Sequence, residues 1–332
     1  MKRIGVLTSG GDAPGMNAAI RAVVRTAIFY NLEVMGIRRG YAGLIEGDFI
    51  ELNSNSVSDI MQRGGTFLLS ARCEEFATKE GRKKAAEQLR KRNIDGLVVI
   101  GGDGSLTGAE YLYQEQGIAY IGIPGTIDND LAGTDITIGF DTAMNTIVDA
   151  INKIRDTATS HERNFIIETM GRISGFLTVM AGLAGGADAL LIPEQTVSID
   201  EICDKLAKRQ KEGRLHSIVL VAEGYGGNFR TNRDINESPA YGIARRIAEL
   251  TGQETRVIIL GHLQRGGSPT VMDRILASKL GAKAVKLLME GQASKMVGLV
   301  GNKLEACSIK DVLKKKKEID LELYELHRIL SI

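Results

Sequence analysis

Hydrophobic residues along the chain fall into two patterns that alternate almost from end to end. The first is a short, unbroken apolar run, at 4–7, 32–37, 96–100, 119–123, 164–168, 189–192, 216–222, 257–260 and 296–300. These runs are rich in Val, Ile and Leu and mostly do not alternate with polar residues. Such runs predict strands buried on both faces, as in a parallel sheet covered by helices. The second pattern is amphipathic at helical spacing, at 16–30, 82–92, 106–116, 142–157, 199–212, 239–250 and 273–289. Strand and helix in alternation predict βαβ units and a doubly wound α/β architecture. The runs are too many for one comfortable sheet, so two α/β domains are expected. No Pro/Ser-rich linker marks their boundary. The loop 128–139 reads as a crossover leading into a long helix from about 140 to 159. No period of 20–50 residues is present, which excludes a solenoid. The charged segment 311–330 reads as a surface helix. Its Lys314–Lys317 run is either a patch for an anionic partner or a solvated helix face.

Composition narrows the class. Of 332 residues, 43% are hydrophobic and 25% charged, which supports a sizeable core and excludes disorder as the main state. Lys and Arg number 42 against 41 Asp and Glu, so a protein that coats nucleic acid is disfavoured and any positive field must be local. No apolar run approaches the roughly 18 residues of a membrane span. The first residues read as a strand and a glycine turn, not as a signal peptide. Cys73, Cys203 and Cys307 are far apart and odd in number, which supports neither a disulfide framework nor a CxxC metal site. The four His residues, 161, 216, 262 and 327, lack zinc spacing. A cytoplasmic enzyme is the expectation. Glycine is the outlier, at 39 residues, well above the usual share of about 7%.

Ligands of open parallel sheets bind at the carboxyl ends of the strands, and glycine-bearing turns stand at those places here. Thr8-Ser9-Gly10-Gly11-Asp12-Ala13-Pro14-Gly15 precedes the first helix. It is either a plain tight turn or a phosphate cradle backed by free helix N–H groups. It is neither a Walker A sequence nor GxGxxG. Gly101-Gly102-Asp103-Gly104-Ser105 follows a buried run. Asp103 there suits Mg²⁺, which takes oxygen ligands and keeps waters and phosphates as partners, or it caps a helix. Pro124-Gly125-Thr126-Ile127-Asp128-Asn129-Asp130 places two carboxylates two residues apart. That suits one metal-directing group and one general base, against the alternative of an Asx turn. Phosphoryl transfer also needs cations. Arg163, Arg172, Arg256, His262 and Arg265 stand at strand ends in the second half, each alone compatible with a surface ion pair or a structural hydrogen bond. Glu223 would accept hydrogen bonds from sugar hydroxyls or cap a turn.

Taken together, the chain resembles the ATP-dependent 6-phosphofructokinases of bacterial type. The resemblance rests on GVLTSGGDAPGMNAAIR at 5–21, RGGT at 63–66, VVIGGDGS at 98–105, GIPGTIDND at 122–130, GFDTA at 139–143, ATSHER at 158–163, ETMGR at 168–172 and GHLQRGGSPTVMDRILAS at 261–278. It implies an α/β fold of two doubly wound, Rossmann-like domains with mainly parallel sheets. The larger, binding ATP and Mg²⁺, would comprise 1–139 and 264–314; the smaller, binding fructose 6-phosphate, 140–263 and 315–332.

The resemblance further implies residue roles. Asp128 would take the proton from the sugar 1-hydroxyl, with Thr126 and Ile127 beside the reacting centre. Asp103, with Asp130 nearby, would organise Mg²⁺. Gly11 and Arg172 would stabilise the moving phosphoryl group. Tyr41, Arg72, Cys73, Gly102, Gly104, Ser105 and Gly108 match nucleotide-site positions. Arg163, Met170, Gly171, Glu223, Arg256, His262 and Arg265 match sugar-phosphate positions. Arg163 and Arg256 would reach in from a neighbouring subunit of a homotetramer. Pyrophosphate-using relatives carry Asp at 104 and Lys at 125, so glycine at both places implies ATP.

Arg21, Arg25, Arg155, Gly186, Asp188, Arg214 and His216 match a pocket for ADP and phosphoenolpyruvate effectors. That pocket departs from the family pattern at Ser54 and Glu212, where cations are usual, and at Asp188, where a metal-binding Glu is usual. Weakened or altered effector control is the expectation. Ala77 stands where some relatives carry a cation near the nucleotide. Neither nucleic acid nor membrane is an expected partner. A silent sugar-phosphate sensor on the same fold is disfavoured, because Asp103, Asp128, Asp130 and Arg172 are all present. A kinase for another phosphosugar, such as tagatose 6-phosphate, is the other alternative.

Overall fold

The structure, a computed structural model, describes residues 1–227 and 238–332. In chain order its strands are β1 (Arg3–Ser9), β2 (Glu33–Ile37), β3 (Phe49–Leu52), β4 (Gly96–Gly101), β5 (Tyr120–Pro124), β6 (Asn164–Thr169), β7 (Ala189–Leu191), β8 (Ile218–Ala222), β9 (Thr255–Ile259), β10 (Lys295–Val300) and β11 (Lys303–Ser308). Its helices are α1 (Met16–Phe29), α2 (Gly40–Glu46), α3 (Lys79–Lys91), α4 (Asp103–Gln116), α5 (Phe140–His161), α6 (Phe176–Ala184), α7 (Ile199–Lys211), α8 (Pro239–Thr251), α9 (Val271–Met289), α10 (Ile309–Lys314) and α11 (Leu321–Leu330). Among the described residues no helix is long and apolar enough to cross a membrane.

The chain divides into two compact units. The first holds 1–127, 131–142 and 265–317; the second holds 128–130, 143–264 and 318–332. In the first, the strand order is β11-β10-β5-β4-β1-β2-β3. Its central strands run parallel, while β3 and β11 pair antiparallel at the two edges. In the second, the order is β7-β8-β6-β9, all parallel. Helix α5 starts in the first unit and continues in the second.

Every apolar run read from the sequence overlaps a strand. β1 and β4 are covered on both faces: Ile4, Val6, Leu7 and residues 97–100 are fully buried. That is why those segments lack alternation. The pattern missed β3 and β11, which lie at edges and are only partly covered. Both therefore carry charge, Glu51 in one, Lys303 and Glu305 in the other. β11 had one unread signal. Gly301 and Asn302 (φ +52° and +66°) form the two-residue link between paired Val300 and Lys303, a turn that demands positive φ at both central residues.

The C-terminal segment corrects an expectation. Residues 311–330 are not one helix. α10 ends at Lys314, Lys316 makes a bridge with Leu131, and the Lys317 ammonium donates to the Asp135 carbonyl at 2.8 Å. α11 then starts afresh, with Asp320 accepting from the Glu322 N–H at 2.9 Å. Of the lysine run, Lys314 closes α10 and the other three lie on an extended connection, so the run presents no continuous helical face.

Candidate active site

In the first unit the end of β1 opens into the glycine turn. Gly15 (φ +106°) N-caps α1, a conformation that strains any L side chain, and no side chain caps the helix. The Arg265 guanidinium lies where a Cβ on Gly11 would stand, and its Nη1 donates to the Asp12 carbonyl at 3.1 Å. The turn therefore joins uncapped helix N–H groups to a cation. Three further residues shape it, none of them given a role of its own from the sequence. Buried Asn17 donates to the Arg63 and Gly64 carbonyls at 3.0 and 3.2 Å and accepts from the Phe67 N–H at 2.8 Å. Thr8 pairs with Thr66 at 2.8 Å and donates to the Leu69 carbonyl at 3.0 Å. Ser70 donates to the Gly10 carbonyl at 2.7 Å. The loop at 63–70 is thereby pinned beside the turn.

β4 leads into α4 through Gly102, an N-cap without a side-chain bond, and Asp103 stands exposed in the first helical turn beside exposed Gly104. Tyr41 is buried, its hydroxyl donating to the Ser105 carbonyl at 2.5 Å. Burial pushes that phenol far above its ordinary range. Its ring stacks on Phe76 at 3.8 Å and 8°. Both rings press on Gly108, where an added Cβ would lie 3.0 Å from Phe76 and 3.2 Å from Tyr41. Arg82 holds this corner. It donates to the Phe76 and Ala77 carbonyls at 2.9 and 2.8 Å and binds Glu115 through two bonds of 2.7 Å. Phe76 and Arg82 were not among the sequence candidates. Arg72 is exposed, and Cys73 packs against the core around Tyr41.

β5 ends at Pro124, and Thr126 and Ile127 after it are buried. The next three residues belong to the second unit. Asp128 is 3% exposed, and Asn129 has left-handed φ, +52°. Asp130 Oδ2 lies 3.9 Å from the half-exposed guanidinium of Arg172. Arg172 itself sits in a strained turn after β6, with Gly171 at φ +136° and Arg172 at +55°. Glu223 holds that turn: its Oε1 accepts from the N–H groups of Gly171 and Arg172 at 3.1 and 2.7 Å. Met170 N–H donates to Gln264, whose amide donates to the Gly261 carbonyl.

Arg163, one residue before β6, and Arg256, on the neighbouring β9, share Glu254. Arg163 Nε lies 2.7 Å from Oε2, and Arg256 pairs with Oε1. The Arg163 guanidinium, then that of Arg256, holds the Glu254 carboxyl below its usual range. His262 is exposed on a short 3₁₀ turn, Gly261–Arg265.

Elsewhere in the second unit a cleft of about 600 Å³ brings together Arg155, Gly186, Asp188, Arg214 and His216. Arg155 donates to the Gly185 and Gly186 carbonyls at 2.6 and 2.8 Å. Asp188 is fully engaged: it is ion-paired with buried Arg209 and accepts from the Ile218 N–H at 2.7 Å. Its carboxylate closes a structural pair with Arg209. Arg21 and Arg25 lie on α1 of the first unit, half-buried and exposed.

Among the described residues no group of three or more His, Cys, Asp or Glu is arranged to hold a metal. Mg²⁺ needs only one or two carboxylates beside waters and phosphates, and exposed Asp103 at a helix N-terminus fits that demand.

The chain matches the family described as Phosphofructokinase over residues 3–288. It is 67% identical to the ATP-dependent 6-phosphofructokinase of Halothermothrix orenii and 56% identical to that of Clostridioides difficile, with both chains covered in full. Among solved structures it is similar to phosphofructokinase from Saccharomyces cerevisiae, with TM-score 0.88 and 37% identity. That match covers all of this chain and 48% of the yeast one. A pyrophosphate-dependent phosphofructokinase from Marinobacter aquaeolei shares the fold, with TM-score 0.82 and 21% identity over 97% of this chain and 86% of that one. With a family match over most of its length and full-length relatives above half identity, this two-unit α/β chain belongs to the phosphofructokinase family.

Proposed function

We propose that the protein transfers the γ-phosphoryl group of ATP to the 1-hydroxyl of D-fructose 6-phosphate, giving ADP and fructose 1,6-bisphosphate. One observation carries the reading. Asp128 is buried, and two residues on Asp130 faces the guanidinium of Arg172. A shielded carboxylate, with a second carboxylate two residues on that faces a cation, suits deprotonating an alcohol and offsetting phosphoryl charge.

Asp128 accepts the proton of the 1-hydroxyl as that oxygen attacks the γ-phosphorus in line. The bond to the β-phosphate oxygen breaks and ADP leaves. Arg172 and the N–H groups of the Gly11 turn offset charge on the moving group. Thr126 and Ile127 fix where Asp128 begins. Asp103, with Asp130 assisting, would hold Mg²⁺, which neutralises nucleotide phosphate charge when bound. Rate comes chiefly from positioning and electrostatics.

Glycine at 104 supports ATP as donor: a Cβ there would meet open space, leaving room beside the α4 N-terminus. Glycine at 125 is required by packing, because a Cβ there would lie 3.1 Å from Ile100 and Met16. Tyr41, Arg72, Cys73, Gly102, Ser105 and Gly108 take the nucleotide side. Arg163, Met170, Gly171, Glu223, Arg256, His262 and Arg265 take the sugar-phosphate side. Arg163 and Arg256 serve a neighbouring subunit of a homotetramer. The two units correspond to an ATP/Mg²⁺ domain and a sugar-phosphate domain. Control by ADP or phosphoenolpyruvate at the Arg155–Arg214 cleft would be weakened or altered, because Ser54 and Glu212 stand where cations are usual. A cytoplasmic location belongs to the same reading.

A coupled assay with ATP, Mg²⁺ and fructose 6-phosphate tests the reaction. Wild type is expected to turn over, and Asp128→Ser to lose at least about 100-fold in kcat. Unchanged kcat would remove Asp128 from the chemistry. Comparable turnover with pyrophosphate would refute the donor.

A further inference from the structure

We propose that Asp273 is a positioning residue for this transfer: from α9 it sets the separation between the glycine turn 10–15 and the segment 124–127 that leads to Asp128. The proposal rests on the reaction assigned above.

Asp273 lies three residues after Thr270, the N-cap of α9, whose hydroxyl oxygen accepts the Asp273 N–H at 3.2 Å. A carboxylate at this place ordinarily turns back to its own N-cap. Here it turns to another helix. Oδ1 accepts the Gly139 N–H at 2.8 Å; Oδ2 accepts the Thr142 N–H at 2.8 Å and the Thr142 hydroxyl at 2.5 Å. Thr142 Oγ1 in turn accepts the Thr270 N–H at 3.0 Å, and the Thr270 hydroxyl donates to Asp141 at 2.5 Å. The N-termini of α5 and α9 thus cap each other around one carboxylate that is 0% exposed. Three donors and two positive helix ends offset part of the cost of burying it, and burial still holds the carboxyl above its usual range.

The restraint passes on to the segment 124–127. Thr137 donates to the Thr126 carbonyl at 2.6 Å, Thr126 N–H to the Ile138 carbonyl at 3.1 Å, and Ile138 N–H to the Pro124 carbonyl at 2.9 Å. Residues 138 and 139 also fill the gap to the glycine turn. A Cβ on Gly139 would lie 2.6 Å from Ala13 Cβ and 3.3 Å from Ile127 Cγ2. A Cβ on Gly15 would lie 2.7 Å from Ile138 Cγ2 and 3.5 Å from Asp273 Cβ. The wedge has no slack on either side, and Asp273 is what nails its end. Misplacement by about 1 Å at reacting groups costs about 100-fold in rate.

The test is Asp273→Asn, which replaces one acceptor oxygen by a donor amide. Steady-state kinetics is combined with amide hydrogen exchange, using Asp128→Ser as reference. The expected result is a kcat lower by about 10- to 100-fold, with both KM values within about 3-fold of wild type. Exchange should quicken at Thr126 and Ile138 as well as at Gly139. If Asp273→Asn does not fold, Thr142→Val, which keeps the carboxylate, must show the same kcat-selective loss in smaller measure. A kcat near wild type, a change confined to KM, or faster exchange confined to 139–142 would overturn the proposal. If wild type does not phosphorylate fructose 6-phosphate, the reaction falls, while faster exchange at Thr126 would still uphold Asp273 as the residue that holds the segment.

Discussion

Glu223 shows how one side chain reaches the chemistry through backbone. Its Oε1 gathers the two N–H groups that keep Arg172 left-handed. Charge-assisted bonds of this kind contribute roughly 1.5–3 kcal/mol each. Glu223→Ala should therefore release Arg172 from its strained turn, lowering kcat and raising the KM for fructose 6-phosphate together. Glu223→Gln, which keeps an acceptor oxygen, should lose much less. Equal losses in the two variants, read from steady-state kinetics, would assign Glu223 a different role. The residue types at Asp103, Asp128, Asp130 and Arg172 were legible in the sequence because chemistry restricts them to few choices. Asn17, Thr8, Phe76 and Asp273 were not, although several lie inside the recognised motifs. A buried amide or hydroxyl is worth what its partners make it, and for Asp273 the partner Gly139 is 134 residues away.

Among the elements, α3, α4 and α11 depend on buried polar pairs. The Arg82 side chain is 7% exposed and that of Glu115 is 21%. Arg82→Met strands Glu115 and two carbonyls, and should destabilise by about 3 kcal/mol, the low end for breaking a buried pair. Chemical denaturation at neutral pH measures this; a loss below about 1 kcal/mol would mean that water replaces the guanidinium. α11 docks through His327, whose Nε2–H donates to the Ala187 carbonyl at 2.8 Å. Burial, with a smaller push from the Lys205 ammonium and against the pull of Asp188, holds this imidazole below its usual 6.5. The unfolded chain then binds the proton more readily than the folded one. The stability from neutral His327 is present above pH 6.5 and is lost as pH falls below it toward the depressed folded value. His327→Gln retains a donor and should flatten the acid limb of stability between pH 7.5 and 5; an unchanged slope would place the titrating group elsewhere. Buried parallel strands announced themselves as unbroken apolar runs. Edge strands β3 and β11 did not, because a half-covered strand carries charges like any surface.

For the whole molecule, the proposed tetramer makes a prediction of its own. If Arg163 serves a neighbour's site, Arg163→Ala and Asp128→Ser subunits should each be nearly inactive alone. Refolded as a mixture they should regain activity, because some shared sites then combine intact Asp128 with intact Arg163. No recovery in mixed oligomers verified by mass would mean that each site is complete within one chain. In the isolated chain, Arg163 and Arg256 are both turned onto Glu254, a pairing that solvent-exposed arginines adopt at little cost.

Taken alone, the sequence determined the strand–helix alternation, the two-domain α/β class and the acidic and glycine motifs at strand ends. Each of these is written in local periodicity or in side-chain types that few other chemistries need. Tertiary structure alone decided which carboxylates are shielded, that Asp188 is spent on Arg209, that the C-terminal segment breaks into two helices, and that α5 and α9 cap one another. The physical reason is that hydrogen bonding and burial are settled by partners distant along the chain, and no local pattern records who those partners are.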